Sequence, residues 1–450
     1  MKINMNRGVL VKVKVVKFGG SSLADAEHFK KVKEIITADS SRRYVIPSAP
    51  GKRFDDDIKV TDMLYECYDL ASNGGGFEKH FAKIACRYEQ IIDDLGIELN
   101  LDDEFDIIRK GFISGAGRDF AASRGEYLNG IVLAEFLGYE FVDAARVIFF
   151  DEKGEFDSER TNQALANELS NIERAVIPGF YGAMPNDTIK TFSRGGSDVT
   201  GSIVSRAVKA SMYENWTDVS GFLVADPRII DNPKVITCIT YRELRELSYM
   251  GAGVLHEDAI FPVRTAGIPI NIKNTNDVNA PGTMIVAEAH DKPSKYIITG
   301  IAGKKGFTII NIEKDMMNAE LGFGRRALSV LEKNKISFEH LPSGIDTMCI
   351  IVSTEDISGK EEKIRNEIIR ETGAEYVRIE KGLALLAIVG RGMRSTRGTA
   401  ARIFAALAHA NINVRMIDQG SSELNIIVGV EEECFERAIK AIYDIFILCL

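Results

Sequence analysis

The segment from Phe307 to Val352 aligns without a gap on the segment from Leu383 to Val428, at a constant offset of 76 residues (383 minus 307). Gly322 falls on Gly398, Arg326 on Arg402, Leu331 on Leu407, Ile336 on Ile412 and Gly344 on Gly420. Ile350-Ile351-Val352 falls on Ile426-Ile427-Val428. A unit this short buries its apolar face by stacking on a copy of itself. Each copy reads strand, loop, helix, strand, turn, strand, and the stretch from Ser358 to Gly373 between them reads as a charged amphipathic helix. The last third of the chain is therefore two copies of one small α/β module. The polar linker from Ala287 to Ser294 separates them from what precedes.

The first two thirds alternate strand-like and helix-like stretches. Val11 to Val16 is a short β-branched run, followed by Gly19-Gly20 and then a polar helical stretch from Ser22 onwards. Arg43 to Ile46 and Ala175 to Pro178 read as strands, and Glu126 to Leu137 has helical apolar spacing. Ile189 to Phe192 reads as a strand entering Arg194-Gly195-Gly196-Ser197-Asp198, followed by a helix from Ser202 to Ala210 and a strand from Tyr213 to Trp216. Such alternation implies an α/β domain with a mainly parallel sheet covered by helices on both faces. A chain of 450 residues has room for two or three such units.

A formal charge of -9 argues against nucleic acid as the main partner. The six cysteines are scattered, with no C-x-x-C pair and no cysteine–histidine spacing suited to zinc, so no metal site is assigned and a reducing cytoplasm is expected. The N-terminal stretch alternates Lys with Val and lacks the apolar core of a signal peptide. No run approaches the roughly 20 apolar residues that span a bilayer.

Lys17-Phe18-Gly19-Gly20-Ser21-Ser22 sits where a strand meets a helix. Two glycines there let the backbone approach a ligand and turn N–H groups toward phosphate oxygens, with the lysine charge beside them. The lysine precedes the glycines, so this is not a Walker loop. Alone, the hexapeptide reads equally as a tight turn with Ser22 as N-cap. Arg194 to Asp198 repeats the layout and places a guanidinium near a carboxylate, a pair suited to a zwitterion. Alone, Asp198 reads equally as a helix cap. Thr217-Asp218 and Asp226-Pro227-Arg228 follow the next strand as polar turns.

Together these motifs, with Gly251-Ala252-Gly253-Val254-Leu255-His256, Gly267-Ile268-Pro269-Ile270 and Asn274-Thr275, resemble the aspartate kinases in order and spacing. The tandem repeat resembles their paired ACT modules, so the resemblance covers nearly the whole chain. It implies an amino-acid-kinase fold over 1–292 followed by two ferredoxin-like ACT modules over 295–372 and 373–450. It implies transfer of the ATP γ-phosphate to the β-carboxylate of L-aspartate, the first step toward lysine, threonine and methionine, with Mg²⁺ as co-substrate ion. Lys17, Phe18, Gly19 and Gly20 would meet the phosphates, and Thr217, Asp218, Leu223, Arg228, Gly253 and Val254 would line the nucleotide. Ser48, Thr61, Glu126, Arg194 and Asp198 would hold the amino acid, with Lys17 and Asp198 catalytic. The chain departs from the family at Gly253, where many members carry lysine, and at Leu223, where many carry an aromatic.

For the ACT modules the resemblance is to single-chain, lysine-sensitive members. It implies an effector site for L-lysine, or threonine, at Met317, Glu320, Gly322, Phe323 and Gly324 with Phe338, Glu339, Ser343, Gly344 and Asp346. The second copy carries Arg391, Arg394 and Arg397 in the equivalent loop, so its site is degenerate or differently used. A homodimer or a dimer of dimers through the ACT modules is expected. Two other readings stay open. One is a kinase acting on glutamate, N-acetylglutamate or UMP, and the other is a non-catalytic amino-acid sensor.

Overall fold

A computed structural model of the chain describes residues 12–193, 195–252, 255, 257–288 and 297–448. Three of the site residues expected above, Arg194, Gly253 and Val254, lie outside that set, as do residues 1–11 and His256. The chain forms two compact units. One holds 1–222, 237–241 and 254–289, and the other holds 223–236, 242–253 and 290–450.

Among the described residues, ten strands belong to the first unit: β1 (Lys14–Phe18), β2 (Arg42–Pro47), β3 (Glu140–Phe141), β4 (Ala175–Val176), β5 (Tyr181–Ala183), β6 (Ile189–Thr191), β7 (Met212–Thr217), β8 (Cys238–Thr240), β9 (Ile270–Asn274) and β10 (Thr283–Val286). Eight of them form one sheet in the order β3-β4-β2-β1-β7-β9-β10-β8. All pairings in it are parallel except β9 with β10. β1 is central because Val15, Val16 and Phe18 leave no exposed surface. Alternation along a strand sends Val16 and Phe18 to one face, where they join a core with Phe29, Val60, Phe81, Phe105 and Leu128. Val15 and Lys17 therefore face the opposite layer, which contains the helix Gly196–Ala207.

Two local expectations are corrected. β6 does not join the main sheet; it pairs antiparallel with β5 in a two-stranded ribbon. The second glycine loop thus leaves a ribbon, not a strand of the sheet that carries β1. The helix after it begins at Gly196, not Ser202, because Gly195 takes a left-handed conformation (φ 57°) that starts the helical turn early. Asp198 then lies inside the first turn and makes no capping bond.

The second unit carries β11 (Gly300–Glu313), β12 (Thr347–Ser353), β13 (Tyr376–Val389), β14 (Met416–Asp418) and β15 (Asn425–Glu431), in the antiparallel order β12-β11-β13-β15-β14. The two copies agree closely. The helices Phe323–Lys333 and Thr399–His409 begin after left-handed Gly322 (φ 78°) and Gly398 (φ 82°). Lys335 and Asn411, the same offset apart, both take positive φ (57° and 53°).

The strands show an exchange that the repeat does not announce. The first part of β11, 300–304, pairs with 385–389 of the second copy, while 307–313 pairs with 376–383 and with β12 of the first. Segments earlier in the chain also dock on this unit. Ile301 N–H donates to the Val224 carbonyl at 2.7 Å, and Asn425 Nδ2 donates to Glu246 at 2.6 Å. Residues 223–236 and 242–253 therefore group with the C-terminal unit and not with residues 1–222, so the compact units do not follow a single cut near residue 292.

Candidate functional site

In an open α/β sheet, ligands bind beyond the carboxyl ends of the strands, where the strand order reverses. Here the chain passes from β1 to β2 on one side and later to β7 on the other, so the crevice lies at the ends of β1 and β7. Lys17 occupies the end of β1. Its Nζ lies 2.6 Å from Asp198 Oδ1, and Asn215 Nδ2 on β7 donates to the same oxygen at 3.0 Å. Both charged side chains are largely buried, which strengthens their attraction and fixes the ammonium in one place.

Around this pair lie two loops in backbone contact. Gly51 N–H donates to the Gly20 carbonyl at 2.8 Å, and Ser48 N–H to the Phe18 carbonyl at 3.0 Å. A Cβ on Gly20 would fall 2.7 Å from the Ala49 carbonyl oxygen, and one on Gly51 would fall 2.6 Å from the Gly20 carbonyl carbon. Any side chain at either position would part the loops. Phe18 lies beneath them, stacked on Trp216 with ring centroids 6.1 Å apart. The Gly19 N–H is committed to the Trp216 carbonyl at 3.1 Å. The amides left for an anion are those of Gly20 and Ser21, which open a short 3-10 turn with no acceptor inside it. Ser22 does not cap this turn; its hydroxyl shares a 2.7 Å hydrogen bond with Thr275.

Glu126 comes from the helix Arg118–Leu137, which passes so close to the second loop that a Cβ on Gly125 would stand 2.8 Å from the Ala49 side chain. Its carboxylate accepts from the Ala49 amide, and its Oε2 has no hydrogen-bond partner among the described residues. Burial pushes its pKa up to about 7, although that amide, its own backbone N–H and the positive charges of Lys17 and Arg124 pull the other way. A buried carboxylate with an open oxygen and a raised pKa is poised for a cationic partner. Ser48 is half-buried at the end of β2, with its carbonyl accepting from Asn129 Nδ2 at 2.6 Å. Thr61 is half-buried in the first turn of the helix Val60–Ser72.

Thr217 closes β7, and its hydroxyl donates to Asp218 at 3.2 Å beside the same sheet edge. Leu223 and Arg228 fall in the second compact unit. Arg228 is exposed and forked onto Asp226, with Nη2 2.6 Å from Oδ2. Among the described residues no group of three or more His, Cys, Asp or Glu side chains is arranged to hold a metal ion. No described helix is long and apolar enough to cross a membrane.

In the first repeat copy, Met317 and Phe323 are core residues, packed with Ile310, Val330 and Ile350. Glu320 pairs with Lys314 at 2.5 Å and with Arg326. Asp346 Oδ1 accepts from the Met316 amide at 2.9 Å, which ties the loop after β11 to the turn before β12. Phe338, Ser343 and Gly344 are partly or largely exposed, and Gly324 sits in the first turn of its helix. Glu339 accepts a hydrogen bond from the Tyr249 hydroxyl. In the second copy Arg391 is spent on the buried carboxylate of Glu243 at 2.9 Å, while Arg394 and Arg397 are exposed. Sequence reasoning missed Asn215, Asn129 and Glu243. Each contacts a residue far away in the chain, so no local motif marks it.

The amino acid kinase family matches residues 12–274, and the ACT domain matches residues 386–446. Aspartokinase 3 of Bacillus subtilis strain 168 is 39% identical, over 96% of this chain and 98% of its own length. The crystal structure of the Clostridium acetobutylicum aspartate kinase, described as an important allosteric enzyme, superposes with a TM-score of 0.88 at 53% identity, covering 97% of this chain and 100% of that one. Escherichia coli aspartokinase III, solved in complex with aspartate and ADP, shares the fold with a TM-score of 0.70 at 23% identity, covering 96% of this chain and 99% of that one.

Proposed function

The chain belongs to the aspartate kinase family, and from that premise we propose that it transfers the γ-phosphate of ATP to the β-carboxylate of L-aspartate. The observation that carries this reading is the contact between Lys17 and Asp198, set beside two loops packed backbone on backbone and a buried carboxylate with one open oxygen. A β-carboxylate oxygen forms the new bond to the γ-phosphorus, the bond from that phosphorus to the β,γ-bridging oxygen breaks, and ADP leaves with the electron pair. The attacking carboxylate is already ionised at neutral pH, so no general base is needed. Catalysis is then alignment plus neutralisation of charge.

The residues divide that work. Lys17 supplies a fixed ammonium at the phosphates, held by Asp198, and the Gly20 and Ser21 amides cradle phosphate oxygens. Glu126 takes the substrate ammonium, Ser48 and Thr61 take its carboxylate oxygens, and Arg194 clamps the α-carboxylate. Thr217 and Asp218 line the nucleotide, along with Leu223, Arg228, Gly253 and Val254. Magnesium carried by a triphosphate needs only one or two protein carboxylates, so the exposed Asp218 would hold it, and the ion would supply charge neutralisation at the phosphates.

The ACT region adds control. Lysine, alone or with threonine, binds at the first copy around Glu320, Glu339 and Asp346 and shifts the enzyme toward an inactive arrangement. Pairing of ACT modules gives a homodimer or a dimer of dimers, and the enzyme works in the cytoplasm. The test is ATP consumption across a panel of amino acids and UMP, with hydroxylamine trapping any acyl phosphate. Turnover with aspartate alone is the expected result. Turnover with glutamate, N-acetylglutamate or UMP instead, or no turnover at all, would overturn the reading.

A further inference from the structure

We propose that Arg87 is a positioning residue for phosphoryl transfer, a guanidinium clamp that locks the two glycine-bearing loops, 19–24 and 48–58, into one register. The inference rests on the kinase reading only in naming what the loops hold.

Arg87 lies on the helix Glu78–Leu95, outside every motif that marks the site, and only 5% of its surface is exposed. Its two Nη nitrogens donate to backbone carbonyls in both loops, while Nε has no partner among the described residues. Nη2 donates to the Ala24 carbonyl at 3.1 Å, at the end of the first loop, and to the Gly51 carbonyl in the second. Nη1 donates to the Ile58 carbonyl at 3.0 Å, where the second loop enters its helix. Asp57, from the second loop, stands 3.4 Å from Nη1 and is itself gripped by Arg53 through Nε at 2.8 Å.

The loops need such a clamp. They meet through the bond from Gly51 N–H to the Gly20 carbonyl, and the glycines that permit this approach leave no side chains to interlock. The guanidinium spreads its donors over two separate Nη atoms and so reaches three carbonyls in different directions, whereas an ammonium gathers its three donors on one atom. The Gly20 and Ser21 amides sit on one loop and Ser48 on the other, so the register between loops sets the distance between the two reacting groups. A misplacement of about 1 Å at a reacting centre costs about 10²-fold in rate.

Arg87 also lines a cavity of about 560 Å³ with Arg53, Asp57, Lys83 and Cys86, which gives a small cation a way in. In Arg87→Ala, hydrogen exchange at the Gly51 and Ser22 amides is expected to quicken at least tenfold, with β1 and β2 unchanged. kcat is expected to fall at least 100-fold, and the KM for both ATP and aspartate to rise. Millimolar guanidinium chloride is expected to restore at least tenfold of that activity, and sodium chloride none. Should the alanine variant not accumulate folded, Arg87→Lys is subjected to the same exchange and kinetic measurements. Unchanged exchange in either loop, loosening throughout the sheet, or activity within threefold of the parent would each overturn the clamp. A parent protein that forms no acyl phosphate would overturn the kinase reading instead, and the exchange data would still decide whether Arg87 joins the loops.

Discussion

Asp198 Oδ1 accepts from two side chains at once, Lys17 Nζ at 2.6 Å and Asn215 Nδ2 at 3.0 Å. The first partner ends β1, the second lies on β7, and the carboxylate itself comes from the helix beside them. Three elements thus fix one ammonium at the sheet edge before any substrate arrives, so its orientation costs little at the moment of reaction.

Lys17→Ala removes that charge without emptying the core, because the side chain lies at the strand end. Activity is expected to fall by about 10²–10³-fold, the usual cost of losing one fixed group that stabilises developing charge. Circular dichroism is expected to match the parent. A variant with parental turnover would take Lys17 out of the mechanism.

Glu126 makes the site sensitive to pH. Burial holds its pKa at about 7 in the folded protein, against the ordinary carboxyl value of 4.5. The protonated form is therefore favoured by folding. Its stabilising contribution is complete below about pH 4.5 and is lost as pH rises through about 7. Binding of the substrate ammonium needs the ionised form, so the two demands oppose each other. kcat/KM for aspartate is expected to climb with pH through about 7, and calorimetry near pH 6 is expected to show proton release on aspartate binding. Glu126→Gln should flatten both, and a pH profile identical to the parent's would remove Glu126 from the amine site.

Much of this architecture was legible in the residues. The 76-residue offset carried through to matched helix starts at Gly322 and Gly398 and to matched positive φ values at Lys335 and Asn411, because local backbone preferences travel with local sequence. Lys17, Glu126 and Asp198 were visible as motif residues, and their convergence follows from the parallel sheet. Pairing partners were less visible. Residues 300–304 precede the detectable repeat, yet they hydrogen-bond with its second copy, a choice made by sheet register rather than by any local pattern. β6 looked like a strand of the main sheet because periodicity reports that a strand exists, not which strand it joins. Arg87 left no trace, since its hydrogen bonds go to backbone carbonyls, which every residue carries.

Phe323 and Glu339 belong to one expected effector site but should respond differently. Phe323 is 3% exposed in the core of the first ACT copy, so Phe323→Ala is expected to destabilise that unit by about 3–5 kcal/mol. Any change in lysine response would then be mixed with lost packing. Glu339 is a surface partner of Tyr249, so Glu339→Ala is the cleaner probe. It should raise the lysine concentration for half-inhibition at least tenfold. Superimposable inhibition curves for parent and variant would remove Glu339 from the effector site.

The three arginines of the second copy differ in what they hold. Glu243 is fully buried, and its oxygens accept from Arg391 Nη1 at 2.9 Å, from the Arg391 amide at 2.9 Å and from Thr299 Oγ1 at 2.6 Å. Arg391→Ala withdraws a guanidinium from that buried carboxylate, and breaking a buried ion pair costs about 3–5 kcal/mol. Arg394 and Arg397 are exposed, and their alanine variants should stay within about 0.5 kcal/mol of the parent. Urea denaturation of the full chain separates these outcomes, with a lowered midpoint expected for Arg391→Ala alone. Equal midpoints for all three variants would mean that Glu243 is held by partners other than the Arg391 guanidinium. The loop after β13 would then be tied to the helix Tyr241–Tyr249 by the Arg391 amide and not by its side chain.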